Sequence, residues 1–213
     1  MSPKNKYLLV YNATCFCLWA YLTCRTLFSF PVLHRQSRLQ DLYTDLLFPF
    51  LAGTQSLAAL EILHAVFGVV RASPLTTAVQ VGGKNLVVWT VMVKFPGIVS
   101  GKDGIWGFLG CLIAWGFSEV VRYGFFVLQL MHGDTPMWAK WLRYSAFIVL
   151  YPPGFLSEAW LVYLCLVRAT DVSILYNSYL FVGLLAYIPA GYYLYTYMLS
   201  QRRRVLRQLS YAR

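Results

Sequence analysis

The sequence predicts an all-α fold: a polytopic membrane bundle of six transmembrane helices forming a single domain over residues 1–213. Three observations predict it. First, 59% of the residues are hydrophobic and only 12% are charged, with a mean hydropathy of +0.56; a soluble domain carries roughly twice that charged fraction. Second, the apolar runs are long and continuous, unlike the alternating segments of roughly ten residues in a membrane barrel. Third, the carboxylates are sorted by type. Glu61, Glu119 and Glu158 fall inside apolar runs, whereas Asp41, Asp45, Asp103, Asp134 and Asp171 fall in loops. Ionisable groups at membrane depth are costly and mark functional sites by default.

Lys4 and Lys6 precede the first predicted span, residues 7–28, a run long enough to cross a bilayer. A basic start before an apolar run also resembles a signal peptide, but no convincing small-x-small cleavage site follows, so it is read as a retained helix. Arg25 snorkels from its far end. A polar loop, 34–45, leads to the second span, 46–70, which carries Gln55, Glu61 and His64. Glu61 and His64 stand three apart and share a helix face. They are either a mutually satisfied buried pair or a support for bound substrate. Pro74 ends that segment, because proline is disfavoured inside helices. The third span, 76–98, is polar in its first half, with Gln80, Gly82, Gly83, Lys84 and Asn85. Such polarity is tolerated at membrane depth only against protein or a cavity.

The glycine-rich connector 97–107 has no preceding strand and no GxGxxG, so it is not a phosphate loop. In the fourth span, 105–131, Glu119 reaches Arg122 at i+3 and Tyr123 at i+4. That cluster reads as structural neutralisation or as a site wall. Pro136 marks a restart before the fifth span, 141–167. The sixth, 174–200, is rich in tyrosine, which reads as an interfacial belt. Six spans put both ends on one side. The ends and the loops 71–84 and 132–143 carry Lys4, Lys6, Arg71, Lys84, Lys140, Arg143, Arg202, Arg203, Arg204, Arg207 and Arg213; the other side carries only Arg35, Arg38, Lys94, Lys102 and Arg168. The positive-inside rule then makes both termini cytosolic.

The five cysteines form no CxxC or Cys/His cluster and read as small apolar packing residues, with no metal site expected. No Cys-x5-Arg loop occurs, which excludes cysteine-based phosphatase chemistry. Span five contains RYSAFIVLYPPGFLSE, residues 143–158. Tyr151 and Glu158 are seven apart, nearly two turns, which places them on one face about 10 Å apart. Pro152-Pro153-Gly154 is expected to break or bend the helix between them. A carboxyl that moves protons and a phenol that stabilises a leaving oxygen suit the elimination or addition of water. An ordinary tyrosine near a span end and an ordinary proline kink remain the alternative.

Here the residues resemble a known family. LRYSAFIVLYPPGFLSE (142–158) is similar to the signature of the 3-hydroxyacyl-CoA dehydratases of very-long-chain fatty acid elongation, the protein-tyrosine-phosphatase-like proteins. Gln55 with LEILHAVFGVV (60–70), Gln80 and Lys84 with VVW (87–89), AWGFSEVVRY (114–123), YIP (187–189) and QRRR (201–204) resemble the family in the right order. The resemblance implies a six-span enzyme of the endoplasmic reticulum membrane with cytosolic termini. It would take long-chain 3-hydroxyacyl-CoA to trans-2-enoyl-CoA, the third step of the elongation cycle. It matches the family's catalytic tyrosine and glutamate to Tyr151 and Glu158, and leaves Glu61, His64, Glu119, Arg122 and Tyr123 as supports. Gln80, Lys84, Lys140 and Arg143 are candidates for the CoA side. No cofactor or nucleic acid is implied. The expected partners are the lipid bilayer and the ketoacyl synthase, ketoacyl reductase and enoyl reductase of the cycle. Two other readings stand beside it: a non-catalytic scaffold of the elongation enzymes, and a proton-coupled transporter relaying through the three glutamates.

Overall fold

The computed structural model describes residues 1–46, 50–133, 135–170 and 172–211, without the side chains of 208–211. Regular structure there is helical: α1 (Pro3–Arg35), α2 (Asp41–Leu46), α3 (Ala52–Leu57), α4 (Leu60–Val66), α5 (Pro74–Leu86), a π-helical segment (Val87–Met92), α6 (Pro96–Val99), α7 (Gly104–His132), α8 (Met137–Ser145), α9 (Phe147–Arg168) and α10 (Ile174–Tyr211). Local chemistry sets several boundaries. Ser2 caps α1 by accepting from the Asn5 amide at 3.2 Å, and Ser73 caps α5 by accepting from Thr76; each cap is followed by a proline at the first helical position. Gly133 ends α7 with φ 73°, a left-handed conformation that suits glycine.

Among the described residues, four stretches are long and apolar enough to cross a membrane: Pro3–Arg35, Gly104–His132, Met137–Arg168 and Ile174–Arg207. They correspond to expected spans one, four, five and six. Spans two and three are not continuous α-helices. Residues 47–49 lie outside the described residues, and α3 passes into α4 through Ala58 and Ala59, whose ψ values of −21° and −26° are those of a 3₁₀ turn. Expected span three is α5 continued by the π-helical segment, which stops before Pro96. Side chains tie this irregular pair together: Asn85 donates to the Gln55 carbonyl and Trp89 Nε1 to Ser56 Oγ, both across to α3.

Helix α7 is the centre of the bundle, with α1 packed on one side and α9 on the other. Glycine makes both approaches possible. A Cβ at Gly116 would lie 2.3 Å from Thr23 Oγ1 of α1, and one at Gly110 would lie 2.1 Å from Ser157 Oγ of α9. Small residues serve this purpose in membrane bundles, where backbones attract by close packing. The core around them includes Trp19, Leu22, Phe108, Leu112, Trp115 and Leu161. Cys15, Cys111 and Cys165 are buried, Cys17 and Cys24 are exposed, and all five are free.

The Gly116 contact generates a prediction. Gly116→Ala lowers the thermal midpoint in detergent, by an overpacking cost of about 1–3 kcal/mol. Adding Thr23→Ala, which removes the atom at 2.3 Å, recovers most of the loss. Equal midpoints for the single and double variants contradict the contact.

Candidate active site

A cavity of about 1000 Å³ runs inside the bundle between α5 with its π-helical continuation, α7, α9 and α10. Thr90, Tyr179 and Leu180 line one end. Trp115, Tyr151, Glu158 and Tyr187 line the middle beside Lys84 and Glu119, and Arg143, Tyr197 and Gln201 line the other end.

Helix α9 supplies the phenol and the carboxyl. The expected break at Pro152-Pro153-Gly154 does not occur: α9 is continuous from Phe147 to Arg168, and the interruption lies earlier, at Ala146. The prolines sit near the start of α9, where the amides they lack leave only the carbonyls of Ile148 and Val149 without an i+4 donor. Gly154 faces α7, where an added Cβ would lie 3.0 Å from Ala114 Cβ. An unbroken helix keeps the seven-residue spacing of Tyr151 and Glu158, and both side chains line the cavity. The Tyr151 ring stacks on Phe155 at 5.5 Å and lies 5.8 Å from Tyr195. Its hydroxyl is buried and has no hydrogen-bond partner among the described residues. Glu158 is held by two neutral donors. Trp115 Nε1 donates to Oε1 at 2.7 Å, and Tyr187 OH donates to Oε2 at 3.2 Å.

A charged wall faces this pair. Arg122 donates through Nε to Glu119 Oε2 at 2.6 Å and through both terminal nitrogens to Glu61, with Nη2 at 2.8 Å from Oε1. Lys84 Nζ bonds the other Glu119 oxygen at 2.6 Å and lies 5.5 Å from the Trp115 ring centroid. Tyr123 donates to Glu61. Two carboxylates and two cations balance, which is how charge survives out of water. Glu61 and His64 are not mutual partners. Glu61 takes Arg122 and Tyr123, and the His64 ring nitrogen Nε2 lies 2.8 Å from Tyr7 OH of α1.

The CoA-side candidates separate. Gln80, Lys84 and Arg143 line the cavity and Lys140 does not. Lys84 is committed to Glu119, whereas no carboxylate among the described residues pairs with Arg143, whose guanidinium carbon lies 5.8 Å from the Tyr144 ring centroid. Sequence reasoning missed Trp115 and Tyr187 as partners of Glu158, and Tyr7 as the partner of His64. Tyr187 sits in the run expected to form an interfacial belt. Its separation of 29 residues from Glu158 leaves no local trace; the only signal was its position before Pro189 in the YIP motif.

Residues 55–208 match the family described as protein tyrosine phosphatase-like protein, PTPLA. The chain belongs to this family. Its relatives include a probable very-long-chain (3R)-3-hydroxyacyl-CoA dehydratase of Schizosaccharomyces pombe, 36% identical over 203 residues that cover 95% of this chain and 93% of that one. Another is the very-long-chain (3R)-3-hydroxyacyl-CoA dehydratase PASTICCINO 2 of Arabidopsis thaliana, 33% identical over 95% of this chain and 94% of its own. The mouse very-long-chain (3R)-3-hydroxyacyl-CoA dehydratase 2 is 30% identical over 94% and 80%. No solved structure matches. The PTPLA match begins at Gln55, so it covers both catalytic candidates and the charged wall but not Tyr7 of α1.

The wall makes a stability prediction. Arg122→Gln leaves Glu61 and Glu119 facing each other with one cation fewer, and lowers stability by about 3–5 kcal/mol. Arg122→Lys, which keeps the charge but not the fork, loses less. Thermal unfolding in detergent reads both, and a midpoint for Arg122→Gln equal to wild type contradicts the pairing.

Proposed function

We propose that the chain is a very-long-chain (3R)-3-hydroxyacyl-CoA dehydratase, a hydro-lyase that removes water to give the trans-2-enoyl-CoA in fatty acid elongation. Family membership and relatives so named over nearly the whole chain support the reaction. The observation that carries it to residues is the cavity that joins the unpaired Tyr151 hydroxyl to the doubly held Glu158 carboxyl.

The reaction breaks a C2–H bond and the C3–O bond and forms the C2–C3 double bond. The thioester acidifies the C2 proton, and hydroxide is a poor leaving group unless a donor meets it. Glu158 takes the C2 proton, because Trp115 and Tyr187 orient its oxygens as acceptors. Tyr151 gives its free hydroxyl proton to the departing C3 oxygen, which leaves as water. The proton on Glu158 then returns to the Tyr151 oxygen through water, restoring both groups. Lys84, Glu119, Arg122, Glu61 and Tyr123 form the wall that fixes α4, α5 and α7 around the substrate, and His64 ties α4 to Tyr7 of α1. Arg143 and Gln80, both in the lining, meet the anionic CoA end.

The membrane setting follows the same reading. The two irregular segments, 51–66 and 74–92, complete a six-span bundle with the four long helices. Both termini face the cytosol, where the excess of Lys and Arg lies and where CoA esters arrive. The membrane is that of the endoplasmic reticulum, and the substrate passes from ketoacyl reductase and on to enoyl reductase.

In a dehydratase assay on purified protein, Tyr151→Phe and Glu158→Gln each lose about 10²–10⁴-fold in turnover, the usual worth of a positioned acid or base, with wild-type thermal midpoints. Trp115→Phe and Tyr187→Phe leave Glu158 in place but loosely aimed, and kcat falls about ten- to hundredfold with little change in KM. Near-wild-type turnover in both Tyr151→Phe and Glu158→Gln rejects the assignment.

A further inference from the structure

We propose that the seam between the π-helical segment and α10 is a lateral port through which the distal part of the acyl chain leaves the cavity for the bilayer, latched by Thr90 and Tyr179. The proposal rests on the dehydratase reading.

Distance along α10 raises the need for a port. Tyr187 touches Glu158, and Tyr179 lies two turns earlier on the same helix, about 12 Å away along its axis; both line the cavity. Half of the hydrocarbon core of a bilayer is about 15 Å deep, a depth that ordinary long acyl chains already fill. A very long chain with its reacting carbons beside Glu158 therefore cannot end before Tyr179. It must fold back or leave. The lining on that side is apolar, with Val87, Val91, Val162 and Leu180, so hydrocarbon is the occupant it suits.

The closure at that point is polar and slight. Thr90 Oγ1 donates to the Leu86 carbonyl at 2.7 Å, so towards Tyr179 OH, 3.1 Å away, it serves as acceptor. One hydrogen bond thus makes the side-chain bridge. Tyr176 OH donates to the Thr90 carbonyl beside it. Tyr179 is 39% exposed and Leu86, which also lines the cavity, is 53% exposed, so the bridge stands between the cavity and the outside of the bundle. Just inside, Gly183 leaves room: a Cβ there meets nothing within 4 Å. The facing side is a π-helical turn, an irregularity frequent at functional sites.

The test uses purified full-length protein and a series of (3R)-3-hydroxyacyl-CoA substrates from long to very long chains. The readout is the ratio of kcat/KM on the longest to that on the shortest. Tyr179→Phe and Thr90→Val each raise the ratio by about fivefold, the shift one hydrogen bond produces. Gly183→Leu, which fills the passage, lowers it by about tenfold or more. Gly183→Ala lowers it less and serves if the leucine variant does not accumulate. A ratio unchanged in all variants, with the wild type active across the series, overturns the port and leaves the dehydratase reading standing. A ratio that falls in Tyr179→Phe and Thr90→Val also overturns it, since those residues then grip the chain. A wild type inert on every substrate overturns the dehydratase reading itself.

Discussion

A guanidinium out of water has to be paired, and the way Arg122 is paired governs the architecture. Its fork meets Glu61 from α4 and its Nε meets Glu119 one turn away on α7, while Lys84 from α5 takes the second Glu119 oxygen. Three elements that are poorly regular or far apart in sequence are thereby fixed to one another at membrane depth. The cluster also keeps Lys84 occupied. Glu158 is then held by the indole of Trp115 and the phenol of Tyr187 rather than by an ammonium. Neutral donors can aim a carboxylate without cancelling its charge, which suits the proton-accepting role proposed for Glu158. Separate pairing sets Glu158 apart from Glu61 and Glu119, whose charges are met by Arg122 and Lys84.

Close packing around α7 places Glu158. Glycines on α7 let α1 and α9 come to contact distance, and Gly154 of α9 and Gly191 of α10 extend the same device outward, Gly191 receiving the Phe155 ring. With α9 pressed on α7, Glu158 reaches Trp115; with α10 pressed on α9, Tyr187 reaches Glu158. The two hydrogen bonds on the carboxyl are consequences of backbone approach, so the site is held by helices rather than by loops.

The legible part of the fold was the part dominated by local sequence. Four long apolar runs gave four long helices, and the i+3 spacing of Glu119 and Arg122 gave a real ion pair. Hydropathy averages over a window and so predicts continuous spans at 46–70 and 76–98. It does not register where Ala58 and Ala59 tighten into a 3₁₀ turn or where residues 87–92 widen into a π-turn. Pro-Pro-Gly predicts a break because proline costs most in mid-helix. Here it falls just after the Ala146 interruption, near the start of α9, where fewer hydrogen bonds are lost. Glu61 and His64 share a face, as the spacing requires, yet each finds its partner on another helix: Arg122 is 61 residues from Glu61, and Tyr7 is 57 from His64. Such contacts depend on how helices pack, and no spacing in one chain encodes them. The family signature picked Glu158 over the other two acids, which its spacing to Tyr151 could not do.

The irregularity of the second and third segments follows from what they enclose. A regular apolar helix buries its backbone and presents one continuous face to lipid, but the cavity side of residues 76–92 carries Gln80, Lys84 and Thr90, each lining the interior. These polar groups need partners or a polar guest at membrane depth. Lys84 finds its partner in Glu119, and Asn85 finds its own in the Gln55 carbonyl. Past Leu86 the lining turns apolar and the π-turn shifts the register, which brings Thr90 opposite Tyr179. One segment thus changes from a polar wall beside Glu119 to an apolar one beyond it. A thioester that carries both a hydroxyl and a long hydrocarbon chain presents the same two chemistries in the same order.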